Sequence, residues 1–159
     1  MPKMTLDLDF MEEESFKLIG IVSVLEDYRL AYFLNQGLGY SLEKLKNDLD
    51  FKNLKFNSSF SFFGCYNEYS DQEIHLINNK DRVEIEQDQE NLTSLFGAME
   101  ELNYLFPEKK QIDYFLKITG ELTEQELQQI TGSIKELPQV QTAYEIALTE
   151  LKTIEFLIF

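Results

Sequence analysis

The chain has 159 residues, 14 Lys and Arg against 29 Asp and Glu, and a formal net charge of −15. That charge opposes direct binding of nucleic acid or an anionic membrane, because both attract a cationic face. The 13 Phe and 8 Tyr residues oppose disorder, and a single cysteine, Cys65, excludes an internal disulfide or a multi-cysteine metal site.

The start, Met1-Pro2-Lys3-Met4-Thr5-Leu6-Asp7-Leu8-Asp9, lacks the apolar run of a secretory signal. No window approaches the roughly 18 apolar residues of a membrane span. A cytoplasmic location is therefore expected. Residues 5–10 alternate in the pattern of a half-buried strand. After the acidic turn Glu12-Glu13-Glu14, the apolar run 18–22, bracketed by Lys17 and Ser23, predicts a central strand. One continuous helix over 15–36 is the competing arrangement, and Gly20 opposes it. Ser23-Val24-Leu25-Glu26 has the form of a capping box, predicting a helix from there to about Gln36 with Gly37 and Gly39 as stop signals.

Residues 41–45 suit either a short helix or a strand. Segments 60–66 and 73–77 predict a hairpin turning around Tyr69-Ser70-Asp71. Asp88 or Asn91 caps a predicted helix through Tyr104, with Leu92, Leu95, Phe96, Met99 and Leu102 recurring at helical spacing and Pro107 closing it. Residues 112–119 are strand-like. Thr123-Glu124-Gln125-Glu126 is a second capping box, opening a helix with Leu127, Ile130 and Ile134 on one face. Val140, Thr142, Tyr144 and Ile146 alternate in a last strand before an apolar tail, whose residues 154–159 suit a buried strand. Strand, helix and strand over 112–147 make a βαβ unit. The expected fold is one α+β domain over residues 1–159: two layers, a largely antiparallel sheet with two or three helices on one face, and a C-terminal part open to a ferredoxin-like arrangement.

The segment Phe106-Pro107-Glu108-Lys109-Lys110-Gln111-Ile112-Asp113-Tyr114 resembles the signature of the IPExxxVDY family of Bacteroidetes-type bacteria. Phe106 replaces the leading Ile and Ile112 the Val, apolar for apolar. Asp27-Tyr28-Arg29-Leu30-Ala31 with Leu34-Asn35, Leu76-Ile77-Asn78-Asn79-Lys80 and the closing Phe156-Leu157-Ile158-Phe159 are similar to family features too, so the resemblance spans nearly the whole chain. It implies a small cytoplasmic bacterial protein and brings no catalytic residues with it.

Within the motif, Glu108 and Asp113 are either exposed recognition carboxylates or a turn lock that accepts backbone N–H groups or pairs with Arg29 or Arg82. The structural reading is preferred, with an Asp113–Arg29 bridge as its sharpest form. A hairpin symmetric about Ser70 would set Cys65 opposite His75, with Cβ atoms about 5 Å apart, near enough for a thiol–imidazole pair. No Gly-rich oxyanion loop accompanies them, so a small buried hydrophobe is the better account of Cys65. Asp7 with Asp9, Glu12–Glu14, and Glu84, Glu86, Asp88 and Glu90 lack the glycine bend of a calcium loop and are expected on solvated faces. The Phe-rich strand at 60–66 lacks the interleaved basic residues of an RNA-stacking platform. No phosphate-binding, dinucleotide or zinc motif occurs, so no cofactor, metal or catalytic residue is expected.

Three functions remain. The first is a non-enzymatic adaptor or regulatory domain that meets a protein partner, plausibly a basic one, through acidic and aromatic surface. The second is an enzyme or small-ligand binder using Glu108, Asp113 and Tyr114. The third is an acidic mimic of nucleic acid that occupies a basic protein groove. The candidate partner-facing segments are Asp7–Glu14 and Glu84–Glu101, the latter with six acidic and no basic groups. A homodimer through an unpaired sheet edge is open to all three.

Overall fold

The computed structural model describes residues 15–45, 49–51, 58–85, 99–152 and 154–157. The expected strand over 5–10, the helix cap at Asp88 or Asn91, and Glu86, Asp88 and Glu90 lie outside them.

The apolar run after Lys17 forms β1 (Phe16–Ser23). β1 is an interior strand, because β9 (Tyr114–Thr119) and β10 (Val140–Glu145) pair antiparallel on its two sides. Helix α1 (Asp27–Leu38) follows, and the alternative of one long helix is excluded. The first capping box does not form. Ser23 is the last residue of β1, and its hydroxyl accepts from the Leu25 N–H and donates to the Gln139 carbonyl, so the helix starts later, after Glu26. Gly37 stays helical, and the chain leaves α1 at Gly39, whose φ of 71° is the left-handed geometry that glycine adopts without strain.

Residues 43–44 settle as a two-residue strand, β2 (Glu43–Lys44), on β5 (Phe62–Asn67). β3 (Leu49–Phe51) and β4 (Ser58–Phe60) pair as a separate ribbon. β5 and β6 (Gln72–Asn78) form the expected hairpin. β7 (Lys80–Ile85) pairs with β8 (Met99–Tyr104), setting Glu84 in register with Glu100. Residues 99–104 were expected as the end of a helix, but they form a strand. Their apolar spacing is compatible with either element, and pairing with β7 decides it.

The second capping box does form. Thr123 accepts from the Glu126 N–H and starts α2 (Glu124–Lys135). The large sheet runs β10-β1-β9-β6-β5-β2. Both β9 and β10 are antiparallel to β1, so they are parallel to each other with β1 between them: the βαβ unit is split. Chain order β1-α1-β6-β9-α2-β10 over spatial order β10-β1-β9-β6 is the ferredoxin-like arrangement, extended at one edge by β5 and β2.

Both helices pack on one face, with Leu30, Leu34, Leu127 and Ile134 against Ile19, Ile21, Leu76, Leu116 and Ile118. The reverse face closes over Leu18, Phe62, Ile77 and Phe115 by means of Leu105, Phe106, Ile112, Leu151 and Leu157. The residues that close it come from irregular chain and short 3-10 turns, Pro107–Lys109, Leu148–Glu150 and Ile154–Leu157. Part of the apolar tail is therefore a 3-10 turn and not a strand. Its role is to cover.

Candidate functional site

β6 runs directly into β7 through Asn79, which is fully buried. Its carboxamide nitrogen donates to the Ile112 carbonyl at 2.8 Å and to the Lys109 carbonyl at 3.0 Å, while its oxygen accepts from the Phe106 N–H at 2.9 Å. Its backbone N–H donates to the Asp113 carbonyl and its carbonyl accepts from the Leu105 N–H, both at 2.9 Å. One side chain thus bonds three backbone groups of an irregular segment, two of them, the Ile112 carbonyl and the Phe106 N–H, buried. The segment it clasps is the signature-like stretch 106–113.

Asp113 sits at the entrance to β9. Its Oδ2 accepts from the Ser23 N–H at 2.8 Å, and its Oδ1 pairs with the Lys80 ammonium. Its backbone N–H donates to the Ile21 carbonyl, continuing the β1–β9 pairing. The cation partner is therefore Lys80, and the expected Asp113–Arg29 bridge does not form. Arg29 lies exposed on α1, and Lys80, only two residues past the end of β6, reaches the site instead.

Glu108, in the Pro107–Lys109 turn, accepts from the Lys152 N–H at 3.1 Å, and neighbouring Lys109 pairs with Glu150. Tyr114 enters the helix-side core, where its hydroxyl donates to the Leu25 carbonyl at 2.6 Å. Burial, with Asp27, Asp113 and Glu26 adding to it, pushes this phenol well above its usual value. Glu108, Asp113 and Tyr114 are thus engaged in three separate directions, each with a backbone group. They form locks on the C-terminal strap, the end of β1 and the start of α1, and do not converge on one ligand.

The thiol and the imidazole are apart. The hairpin turn is an even four residues, 68–71, with Asp71 at φ 53°, so Gly64 pairs with His75 and Cys65 with Ile74. A one-residue slip reverses the face of every side chain. Cys65 packs toward the helix-side core. His75 lies on the reverse face, stacked on Phe62 with ring centroids 5.0 Å apart. Gly64 makes room for it: a Cβ there would stand 2.9 Å from the imidazole Cδ2. Burial raises the Cys65 thiol, against a lowering by the Ser41 backbone. Burial, with the Lys117 charge second, lowers His75 to about 4. Lys117 is itself buried opposite His75, its ammonium 4.7 Å from the Phe16 ring centroid and bonded to the Leu157 carbonyl.

Two open clefts lie at Ser15, Lys17, Gly120 and Glu121, of about 400 Å³, and at Tyr66, Asp71, Glu73 and Glu121, of about 290 Å³. Neither is lined by the motif residues. Among the described residues, no group of three or more His, Cys, Asp or Glu is placed to hold a metal ion, and no helix is long and apolar enough to cross a membrane. The outer side of α1 and the turn before it carry large exposed apolar residues, with Val24 73%, Tyr28 59% and Tyr32 55% exposed. Sequence reasoning missed Asn79 as a site residue. Its signals were an asparagine pair at the end of an apolar strand and a place in the family-like segment 76–80.

No protein-family model, curated protein or solved structure matches this chain.

Proposed function

We propose that this chain is a non-enzymatic protein-interaction domain, an adaptor or regulator acting in the cytoplasm. The observation that carries the reading is the exposed pair Tyr28 and Tyr32, one helical turn apart on α1, with Val24 before them and Glu26 and Asp27 beside them. Exposed aromatic surface rimmed by charge marks association sites, and tyrosine is among the residues that dominate interface energy. The acidic rim and the net charge of −15 select a partner of basic surface. Engagement of Glu108, Asp113 and Tyr114 with backbone groups, and the separation of Cys65 from His75, weigh against the enzyme and ligand-binding alternative.

Membership of the IPExxxVDY family, and with it a bacterial origin, belongs to the same proposal. Its support is that two of the resembling segments, 76–80 and 106–114, are joined through Asn79. The acidity of residues 84–101, which carry six acidic and no basic groups, favours a second reading, the nucleic-acid mimic.

Affinity purification from the native host tests the proposal. A stoichiometric partner captured by the wild-type chain and lost with Tyr28→Ala/Tyr32→Ala supports it. Equal capture by both chains removes α1 from the interface.

A further inference from the structure

Among the described residues β10 is the terminal strand of the large sheet and pairs with β1 on one side. Gly20 stands opposite Tyr144, and the Ile146 N–H donates to the Leu18 carbonyl at 2.8 Å. In an antiparallel ladder hydrogen-bonded pairs alternate, so Thr142, Tyr144 and Ile146 bond inward to β1. The N–H and C=O groups of Gln141, Ala143 and Glu145 are directed outward along the open edge.

Edge strands are ordinarily guarded by lysines, prolines or bulges. Here residues 140–144 carry no charge and no proline, and Glu145 is the strand's one charged residue, in a chain of net −15. The one register shift lies at the strand's first residue, opposite Ser23. Beside this edge runs a cleft of about 340 Å³, walled by an α2 stripe of Glu124, Gln128, Thr131 and Lys135. The stripe is acidic at one end and basic at the other. Lys17 bridges the acidic end, 3.6 Å from Glu124 and 3.9 Å from Glu145.

We infer that β10 is the interface of a symmetric homodimer, two copies pairing edge to edge in antiparallel register about a two-fold axis at Ala143. That register uses every outward backbone group of the strand. It places Gln141 opposite Glu145 of the second copy and Thr142 opposite Tyr144, a β-branched–aromatic pair, with no like charges opposed. It also runs the two α2 helices antiparallel, so the Glu124 end of one approaches the Lys135 end of the other. An end-to-end charge reversal of this kind is matched by its own copy, and that complementarity commits the surface to a second copy of this chain. The inference uses a strand and helix that the α1 reading does not, so either can fail alone.

Sedimentation equilibrium of the full chain at physiological salt tests it, with Gln141→Glu and Gln141→Lys as variants. Gln141 is exposed, so both should fold, and circular dichroism checks that they do. The expected wild-type mass is twice the 18.7 kDa of one chain. Gln141→Glu should raise the dimer Kd roughly two- to thirtyfold, because the two-fold axis creates two opposed like pairs, while Gln141→Lys leaves it unchanged or tighter. A monomer throughout, as a foreign peptide or another segment of the chain on this edge would give, overturns the inference. So does a dimer indifferent to both variants.

Discussion

The Asn79 carboxamide donates to the Ile112 carbonyl at 2.8 Å, tying together residues 33 positions apart in the chain. With its bonds to Lys109 and Phe106, it turns an irregular loop into a fixed floor for the reverse-face core, where Phe106 packs edge-on to Phe115 at 5.2 Å between centroids. The signature-like motif keeps its shape because of a residue outside it.

Replacing Asn79 by Ala removes the side-chain partner of the buried Ile112 carbonyl and Phe106 N–H, while the Lys109 carbonyl keeps the Ile112 N–H. Each buried group left unserved costs about 1–3 kcal/mol, so a loss of at least about 2 kcal/mol is expected in urea unfolding. Asn79→Asp should do no better. Its carboxylate can still accept from Phe106 but turns negative oxygen toward the two carbonyls.

At Asp113 the Lys80 pair and the Ser23 N–H contribute differently. The Lys80 side chain is a third exposed, which limits the pair to about 1 kcal/mol or less, so Lys80→Met should be mild. Asp113→Ala also strands the Ser23 N–H and should cost about 1.5–3 kcal/mol. Arg29→Ala should stay within about 0.5 kcal/mol, as for other exposed positions. Chemical denaturation of the three variants orders them.

His75 makes stability depend on pH. Its folded pKa of about 4 lies below the ordinary 6.5, so the fold holds the neutral ring and the unfolded chain binds the proton more readily. The stabilisation is complete above about 6.5 and is lost as pH falls from there toward 4. His75→Phe, which can keep the stack on Phe62, should flatten that interval when unfolding free energy is compared with wild type. Because the chain has one histidine, its ring resonance reads the titration without overlap.

Cys65 should alkylate more slowly in the native chain than in urea, since burial raises its pKa and lowers the thiolate fraction. Because His75 is on the other face, His75→Phe should leave the native iodoacetamide rate unchanged. A slowed rate would mean the two groups communicate.

What the sequence made legible was local. β1, the hairpin and the Thr123 cap each depend on neighbours within a few residues. The hairpin register failed by one position because an odd turn about Ser70 and an even turn over 68–71 satisfy the same turn-forming residues, yet they put Cys65 on opposite faces. Ser23 looks like a helix cap in sequence, but Asp113 and Gln139 hold it at the end of β1. Strand β8 follows from pairing with β7 and not from its own periodicity. The segment around Asn79 stands out only by resemblance, and its role is hidden because its partners are backbone groups 27 to 33 positions away.

The central claim is that the motif residues hold the fold while α1 meets the partner. Titration calorimetry of the purified partner against Tyr28→Ala/Tyr32→Ala and against Glu108→Gln measures it most directly. The account predicts affinity weakened by roughly thirtyfold or more in the tyrosine variant, as for interface hot spots, and left within about twofold in Glu108→Gln. Affinity lost with Glu108→Gln and kept without the tyrosines would contradict it.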